Sequence, residues 1–288
     1  MNDSRPSRRR LLAGLGGAVT LPLTAGVTSA TSTSATLHVR VYPGPTPDGL
    51  PTVRGWSHVH VEAGVAVFRA LWTLARYAET HGAVDRVRVR LEPMAPVRTD
   101  PGRASQAELL DGFREEVHDR RAVTGECCHL LLWWDPLNHD LGYGGTRWPN
   151  NHVGKAEEEG SQTVANVGAT ETWDDRAVTN NMAIHETLHT FLSPDVVETV
   201  IDSRCDHDLG RAVRTEPDTL RISPIATAYA GPDRVGGGTR FHGTGCHDHD
   251  SFYHHDGYDG VDTFEYTATL SEGVLEAVTI YLDRYLAR

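Results

Sequence analysis

The feature that most constrains this chain is a pair of histidines four residues apart. Residues 185–189 read His-Glu-Thr-Leu-His, within a segment whose apolar residues recur at helical spacing. On an α-helix, residues i and i+4 lie one above the other on the same face. Two neutral imidazoles in that position can share one zinc ion. The pattern therefore predicts a helix that presents His185 and His189 to a metal.

Glu186 is the candidate catalytic residue of the same motif. It follows His185 directly, so its carboxylate can reach a water molecule beside the metal and act as a general base. Zinc lowers the pKa of such a water to about 7, which makes a nucleophile available at neutral pH. A catalytic zinc also needs a third protein ligand, which the five-residue motif does not contain.

The eleven residues from His185 to Asp195 resemble the extended motif H-E-x-x-H-x-x-G-x-x-D of the metzincin metalloproteases, in the form seen in snapalysin-like secreted proteases. Downstream, residues 223–227 (Ser-Pro-Ile-Ala-Thr) resemble the Met-turn that lies beneath the metal in that family. Two positions depart from the pattern. Leu192 stands where the family has glycine, and Ile225 stands where it has methionine.

The resemblance implies that Asp195 is the third zinc ligand, six residues after His189. Glycine would let the chain turn sharply toward the metal, whereas Leu192 makes a turn with positive φ harder. Other oxygen or nitrogen donors downstream are therefore kept as alternatives, because zinc accepts them equally well. These alternatives are His207, Glu198 and Asp202.

Strand and helix patterns alternate along the chain. They predict strands at 37–42, 87–91, 129–134 and 163–167, and helices at 57–81, 105–117, 176–191 and 270–286. This order predicts an α/β (α+β) fold with a mostly parallel sheet. Residues 205–262, rich in Gly, His and Asp, are predicted to be mostly loop. This loop and the C-terminal helix also resemble the metzincin arrangement, which implies in addition an antiparallel edge strand. The strand at 163–167 precedes the zinc helix, so we expect it to be the edge that pairs with an extended substrate.

The first thirty residues resemble an export signal. Three arginines at 8–10 precede an apolar stretch at 11–27 and small residues at 28–30. The Ser-Arg-Arg sequence at 7–9 resembles a twin-arginine signal. We expect residues 1–30 to be the signal and 31–288 to be a single domain exported from the cell, with an uncleaved membrane anchor as the alternative.

Composition excludes several other classes. A net charge of −12, from 27 basic and 39 acidic residues, argues against non-specific nucleic-acid binding. No run of eighteen apolar residues follows the N-terminal segment, which argues against an internal membrane span. An exported protein can keep disulfides, and Cys205–Cys246 is the expected pair, with four free thiols as the alternative. The acidic residues at 256–262 lack EF-hand spacing, so calcium is without support.

Together these features predict a secreted zinc-dependent endopeptidase that acts on proteins or peptides. One alternative is an exported metal-binding protein without catalysis, although such a protein would have no need of Glu186. The other is a zinc hydrolase that acts on a non-peptide bond, because the same metal and base serve several acyl substrates.

Overall fold

A five-stranded sheet forms the centre of the protein. The computed structural model describes residues 32–98, 105–122, 124–135, 142–147, 151–155, 160–226, 252–257 and 259–288. The sheet contains β1 (Ser34–Pro43), β2 (Arg86–Pro93), β3 (Cys128–Trp133), β4 (Gly144–Thr146) and β5 (Ser161–Asn166), in the order β2-β1-β3-β5-β4. Strands β2, β1, β3 and β5 run parallel, whereas β4 pairs with β5 in the antiparallel direction. This confirms the predicted α/β class and mostly parallel sheet.

The edge strand differs from the prediction. The expected edge at 163–167 corresponds to β5, which lies between β3 and β4 and is therefore internal. The edge is β4, a three-residue strand that begins with two glycines. Periodicity could not predict it, because two glycines carry no alternation of apolar and polar side chains.

Six α-helices pack around the sheet in the described part of the chain. They are α1 (His58–His81), α2 (Gln106–Asp119), α3 (Val167–Trp173), α4 (Arg176–His189), α5 (Pro194–Val200) and α6 (Glu272–Tyr281), which continues into a π-helical turn, Leu282–Leu286. The four predicted helices correspond to α1, α2, α4 and α6. Ser57 and Ser105 cap α1 and α2 through their hydroxyls, as serine commonly does at a helix start. Helices α3 and α5 were not predicted.

The two faces of the sheet are covered by different helices. Helices α1, α4 and α6 pack on one face, where Leu37, Val39 and Leu130 enter the main apolar core. Helix α2 covers the other face through Leu109 and Phe113. Strands β3 and β5 are buried over their whole length, as central parallel strands are.

A second, smaller sheet lies in the region predicted to be mostly loop. Its strands are β6 (Arg211–Glu216), β7 (Thr219–Ile222), β8 (His254–His255) and β9 (Thr263–Tyr266), in the order β8-β6-β7-β9. The long-loop prediction for 205–262 is therefore wrong for this part. The sheet is attached to α4, because the Asn181 amide donates to the backbone carbonyls of Ile222 and Thr267.

Two sequence predictions fall outside the described residues, namely the export signal at 1–30 and the partner cysteine Cys246. Cys127 and Cys128 are free and buried, whereas Cys205 is disulfide-bonded. The pairing Cys205–Cys246 stays a prediction. Residues from Ser32 to Arg288 form one compact unit. Among the described helices, none combines the length and the apolar character needed to span a bilayer.

Candidate metal centre

Helix α4 carries the His-Glu-x-x-His motif through the interior of the protein. It begins at the Asp175 cap, whose carboxylate accepts the backbone N–H of Val178, and its residues 181–188 are all buried. His185 and His189 lie one turn apart as predicted, with ring centroids 4.7 Å from each other. The side of the helix that bears them faces a third imidazole.

That third imidazole belongs to His207. It lies on a short 3-10 helix, Asp206–Leu209, and its ring centroid is 5.2 Å from that of His185 and 4.9 Å from that of His189. Each ring offers one nitrogen, and the three nitrogens lie within 4.8 Å of one another. The three histidines therefore form a nearly equilateral triangle around a common point.

Asp195 does not belong to this cluster. Its carboxylate accepts hydrogen bonds from Lys155 Nζ, at 2.7 Å, and from the Tyr285 hydroxyl. Partial burial raises the pKa of Asp195, but these bonds lower it further, and the net pKa is well below the usual value. The structure therefore does not bring Asp195 together with His185 and His189, and His207 lies beside them instead.

The backbone after α4 explains the difference. Leu192 is buried in the main core instead of turning toward the metal site. Pro194 then occupies the first turn of α5, a position that proline favours because it needs no N–H partner there. Helix α5 therefore carries Asp195 away from the histidines.

The two remaining candidate ligands also lie elsewhere. Glu198 pairs with Arg204, at 2.7 Å, and both side chains are mostly exposed. Asp202 is exposed as well. Neither joins a cluster of ligating groups among the described residues.

Asp206 orients the His189 imidazole and lies near a second one. Its Oδ2 accepts from His189 Nδ1 at 2.6 Å, whereas its Oδ1 lies 3.5 Å from His207 Nδ1, which is also 3.5 Å from Cys205 Sγ. On His189 the bond to Asp206 leaves Nε2 as the nitrogen that could bind a metal. A carboxylate on the far nitrogen is the usual support of a metal-binding histidine.

Charge is unevenly distributed over the cluster. Burial, together with the neighbouring imidazoles, lowers the pKa of His185 well below its usual value, so this ring is neutral. Burial also lowers the pKa of His189, but the Asp206 carboxylate outweighs it and raises this pKa to about 9. Asp206 is desolvated, yet the three imidazoles keep its pKa well below the usual value.

The residues fit a zinc ion. Three imidazoles are a ligand set that zinc uses in catalytic sites, and their nitrogens around one tetrahedral ion lie roughly 3.3–3.4 Å apart. The three nitrogens of the cluster lie within 4.8 Å of one another, so they would have to draw closer together around such an ion. His185 Nδ1 is buried and has no hydrogen-bond partner in the described structure, which shows that protein groups alone do not satisfy this ring. Cys205 is disulfide-bonded and so offers no thiolate.

Glu186 lies beside the cluster, between α4 and the edge of the sheet. Its Oε2 accepts from the Thr163 hydroxyl at 3.3 Å, and the Thr163 hydroxyl in turn lies 2.9 Å from that of Thr146. Burial raises the pKa of Glu186 to about 7. A carboxylate with this pKa can both accept and release a proton near neutral pH.

Gly144 makes room for this carboxylate. A Cβ atom at position 144 would lie 2.6 Å from Glu186 Cδ and 2.5 Å from the backbone oxygen of Val164, which is closer than side chains tolerate. A Cβ at Gly145 would instead point to the other face and meet the Gln106 amide. Strand β4 can therefore pass directly against the candidate base only because it begins with glycine.

Strand β4 also presents an open edge. The carbonyl of Tyr143 and the N–H of Arg147 form hydrogen bonds with β5. In an antiparallel ladder, residues that bond to the neighbouring strand alternate with residues that do not, so the backbone groups of Gly144 and Thr146 point away from β5. The Gly144 carbonyl accepts from the Gln106 side chain. Below this edge, a cavity of about 300 Å³ lies next to His189 and is lined by Thr146, Asn151, His152, His189, Leu192, Pro194, Arg204 and Asp206.

The turn that resembles a Met-turn is strained. Ile225 is fully buried in the same core cluster as Ile184 and Leu188 of the metal-bearing helix. Its φ is +75°, a value that β-branched residues rarely adopt. Such strain costs on the order of 1–3 kcal/mol and is concentrated at functional sites.

No protein-family model and no curated protein sequence matches this chain. The chemistry of the site therefore rests on its own geometry.

The sequence motif predicts three residues that the structure brings together, His185, Glu186 and His189. His207 was predicted only as an alternative ligand, and neither Asp206 nor Gly144 was predicted. The one signal that favoured another ligand was Leu192 in place of the family glycine. The positions of Asp206 and Gly144 depend on tertiary contacts that no local pattern encodes.

Proposed function

We propose that this protein is a zinc-dependent hydrolase that cleaves peptide bonds. The observation that carries the proposal is the triangle of three imidazoles with a buried carboxylate, Glu186, beside it. His185, His189 and His207 would hold the ion, and Asp206 would keep the His189 ring oriented. When bound, zinc polarises the substrate carbonyl and lowers the pKa of water.

Glu186 performs the proton transfers in this proposal. It accepts the proton of the attacking water and then passes it to the departing amine. Its position supports this role, because the buried carboxylate directly follows His185 on α4 and lies beside the histidine cluster. The hydroxyls of Thr163 and Thr146 fix the position of the carboxylate.

An extended peptide would bind along β4. An edge strand provides main-chain donors and acceptors in a row, so it binds any sequence that can adopt the β conformation. Such a peptide would replace the Gln106 amide at the Gly144 carbonyl. It would then pass beside Glu186. This arrangement favours a peptide substrate over a small non-peptide substrate, because the edge strand binds an extended chain.

We also propose that the chain is exported, on the basis of the arginines and apolar stretch at 1–30. Replacement of Arg8 and Arg9 by lysine should retain the precursor inside the cell if the twin-arginine route is used. Normal secretion of that variant would contradict this route.

The test of the function is digestion of an unbiased peptide library by the zinc-loaded protein, with fragments identified by mass spectrometry. Glu186→Gln is the matched variant, because it keeps the size of the side chain and removes the base. We expect cleavage by the wild type and a loss of about 10²–10⁴-fold in the variant with zinc still bound. Equal cleavage by the variant would refute the role of Glu186, and zinc binding without any cleavage would favour a non-catalytic metal-binding protein.

A further inference from the structure

The outward face of α1 carries a continuous apolar stripe. Val61, Val65, Phe68 and Trp72 are spaced by four, three and four residues, and each is between 41% and 54% exposed. The opposite face of the same helix is buried in the core. Large apolar side chains gathered on one exposed surface are unusual for a protein without a partner there.

A groove extends this stripe sideways. It has a volume of about 730 Å³, and its apolar lining residues include Val53, Trp56, Leu91, Met94 and Pro96. Val53 is 77% exposed. Gly64 is itself buried, but a Cβ there would meet nothing within 4 Å, because the position borders the groove. The stripe protrudes from this surface and the groove is recessed, and both are apolar.

The spacing is that of helix-to-helix packing. Four apolar residues at intervals of four, three and four occupy successive d, a, d and a positions of a heptad repeat. In an antiparallel pairing of two α1 helices, Val65 lies opposite Phe68 of the second copy, and Val61 lies opposite Trp72. Each layer then combines a small with a large side chain, which fills the space between the helices.

The charges beside the stripe select the direction of pairing. Glu62, Arg69 and Arg76 occupy successive e positions, which face one another in an antiparallel pair. Glu62 of one copy then lies against Arg69 of the other, and Arg69 has no ion-pair partner within the described residues. In a parallel pair the e positions would instead face the side of the g positions, Gly64 and Leu71, which are buried within each copy and offer no charge.

We propose that this protein forms a two-fold symmetric dimer in which the α1 stripe of one copy packs antiparallel against that of a second copy. In this arrangement the α1 stripe is complementary to itself, which is what a two-fold symmetric dimer requires. The dimer leaves the metal centre untouched, because α1 contributes none of its residues. The proposal is therefore independent of the proposed hydrolase function.

The test is sedimentation equilibrium of the full chain over a hundredfold range of concentration. Val65→Glu places a charge at the centre of the interface, so we expect the dimer dissociation constant to rise at least about tenfold. Tyr253→Ser is the matched control, because Tyr253 is similarly exposed, at 39%, but lies outside the stripe. A monomer at all concentrations, or a dimer that Val65→Glu leaves intact, would overturn the proposal.

A charge reversal tests the direction of packing. Arg69→Glu alone should weaken the dimer, because it places two carboxylates together, and adding Glu62→Arg should restore it. Thermal unfolding of each variant separates loss of dimer from loss of folding, since Glu62 also pairs with Arg176 within one copy. Failure of the double variant to regain the affinity lost by Arg69→Glu would overturn the antiparallel arrangement.

Discussion

A single methyl group on Gly144 should disable the candidate base without removing the metal ligands. In Gly144→Ala the new Cβ would lie 2.6 Å from Glu186 Cδ, whereas carbon atoms in ordinary contact lie about 3.5–4.0 Å apart. The Cβ would also lie 2.5 Å from the backbone oxygen of Val164, so strand β4 and the Glu186 carboxylate must move apart by about 1 Å. A displacement of this size can reduce the rate by about 10²-fold.

The assay combines three measurements on Gly144→Ala. The rate constant kcat for a peptide taken from the library digest should fall by about 10²-fold, and bound zinc should stay at one ion per chain. Overpacking should also lower the free energy of unfolding by about 1–3 kcal/mol, which is measurable as a lower Tm.

Gly145→Ala is the matched control for this prediction. Its Cβ points to the other face of β4 and meets the end of the flexible Gln106 side chain, which can swing aside. It should therefore keep most of the activity. An unchanged kcat in Gly144→Ala, or an equal loss in both variants, would refute the argument that Gly144 makes room for Glu186.

Three further predictions follow from individual contacts. Asp206→Asn should weaken zinc binding by roughly 10–100-fold in a chelator competition, because the support of His189 is weakened; unchanged affinity would exclude an orienting role. Asp195→Asn should lower the free energy of unfolding by about 0.2–1 kcal/mol at pH 7, because it weakens the pair with Lys155. Since the pKa of folded Asp195 is lowered, this difference should shrink progressively as pH falls below about 4, and a difference that is as large at pH 2 as at pH 7 would contradict it. Ser57→Ala should cost about 1 kcal/mol of stability through the lost helix cap, with zinc binding unchanged.

The parts of the fold that the sequence predicted are those with a strong local pattern. Helix α4 has a capping aspartate, Asp175, and apolar residues at helical spacing, so both its existence and its motif were evident. Strand β3 was predicted from a continuous apolar run, which indicates a buried parallel strand. In these elements the local pattern and the tertiary environment agree.

The parts that the sequence did not predict depend on contacts between distant segments. His207 follows His189 by eighteen positions, with α5 between them, so no spacing rule connects the two. Asp195 has the spacing of the family motif, but Leu192 packs into the core and Pro194 begins a helix. Strand β4 exists because Gly144 pairs with a neighbouring strand, not because of its own side chains.

The most direct test of the account is the zinc content and affinity of two variants prepared side by side, His207→Ala and Asp195→Ala. Both can be measured by metal analysis after dialysis and by titration against a chelator of known affinity. If His185, His189 and His207 form the metal centre, His207→Ala should lose the zinc that the wild type retains, whereas Asp195→Ala should keep one ion per chain at unchanged affinity. Retention of zinc by His207→Ala together with its loss from Asp195→Ala would contradict the three-histidine site.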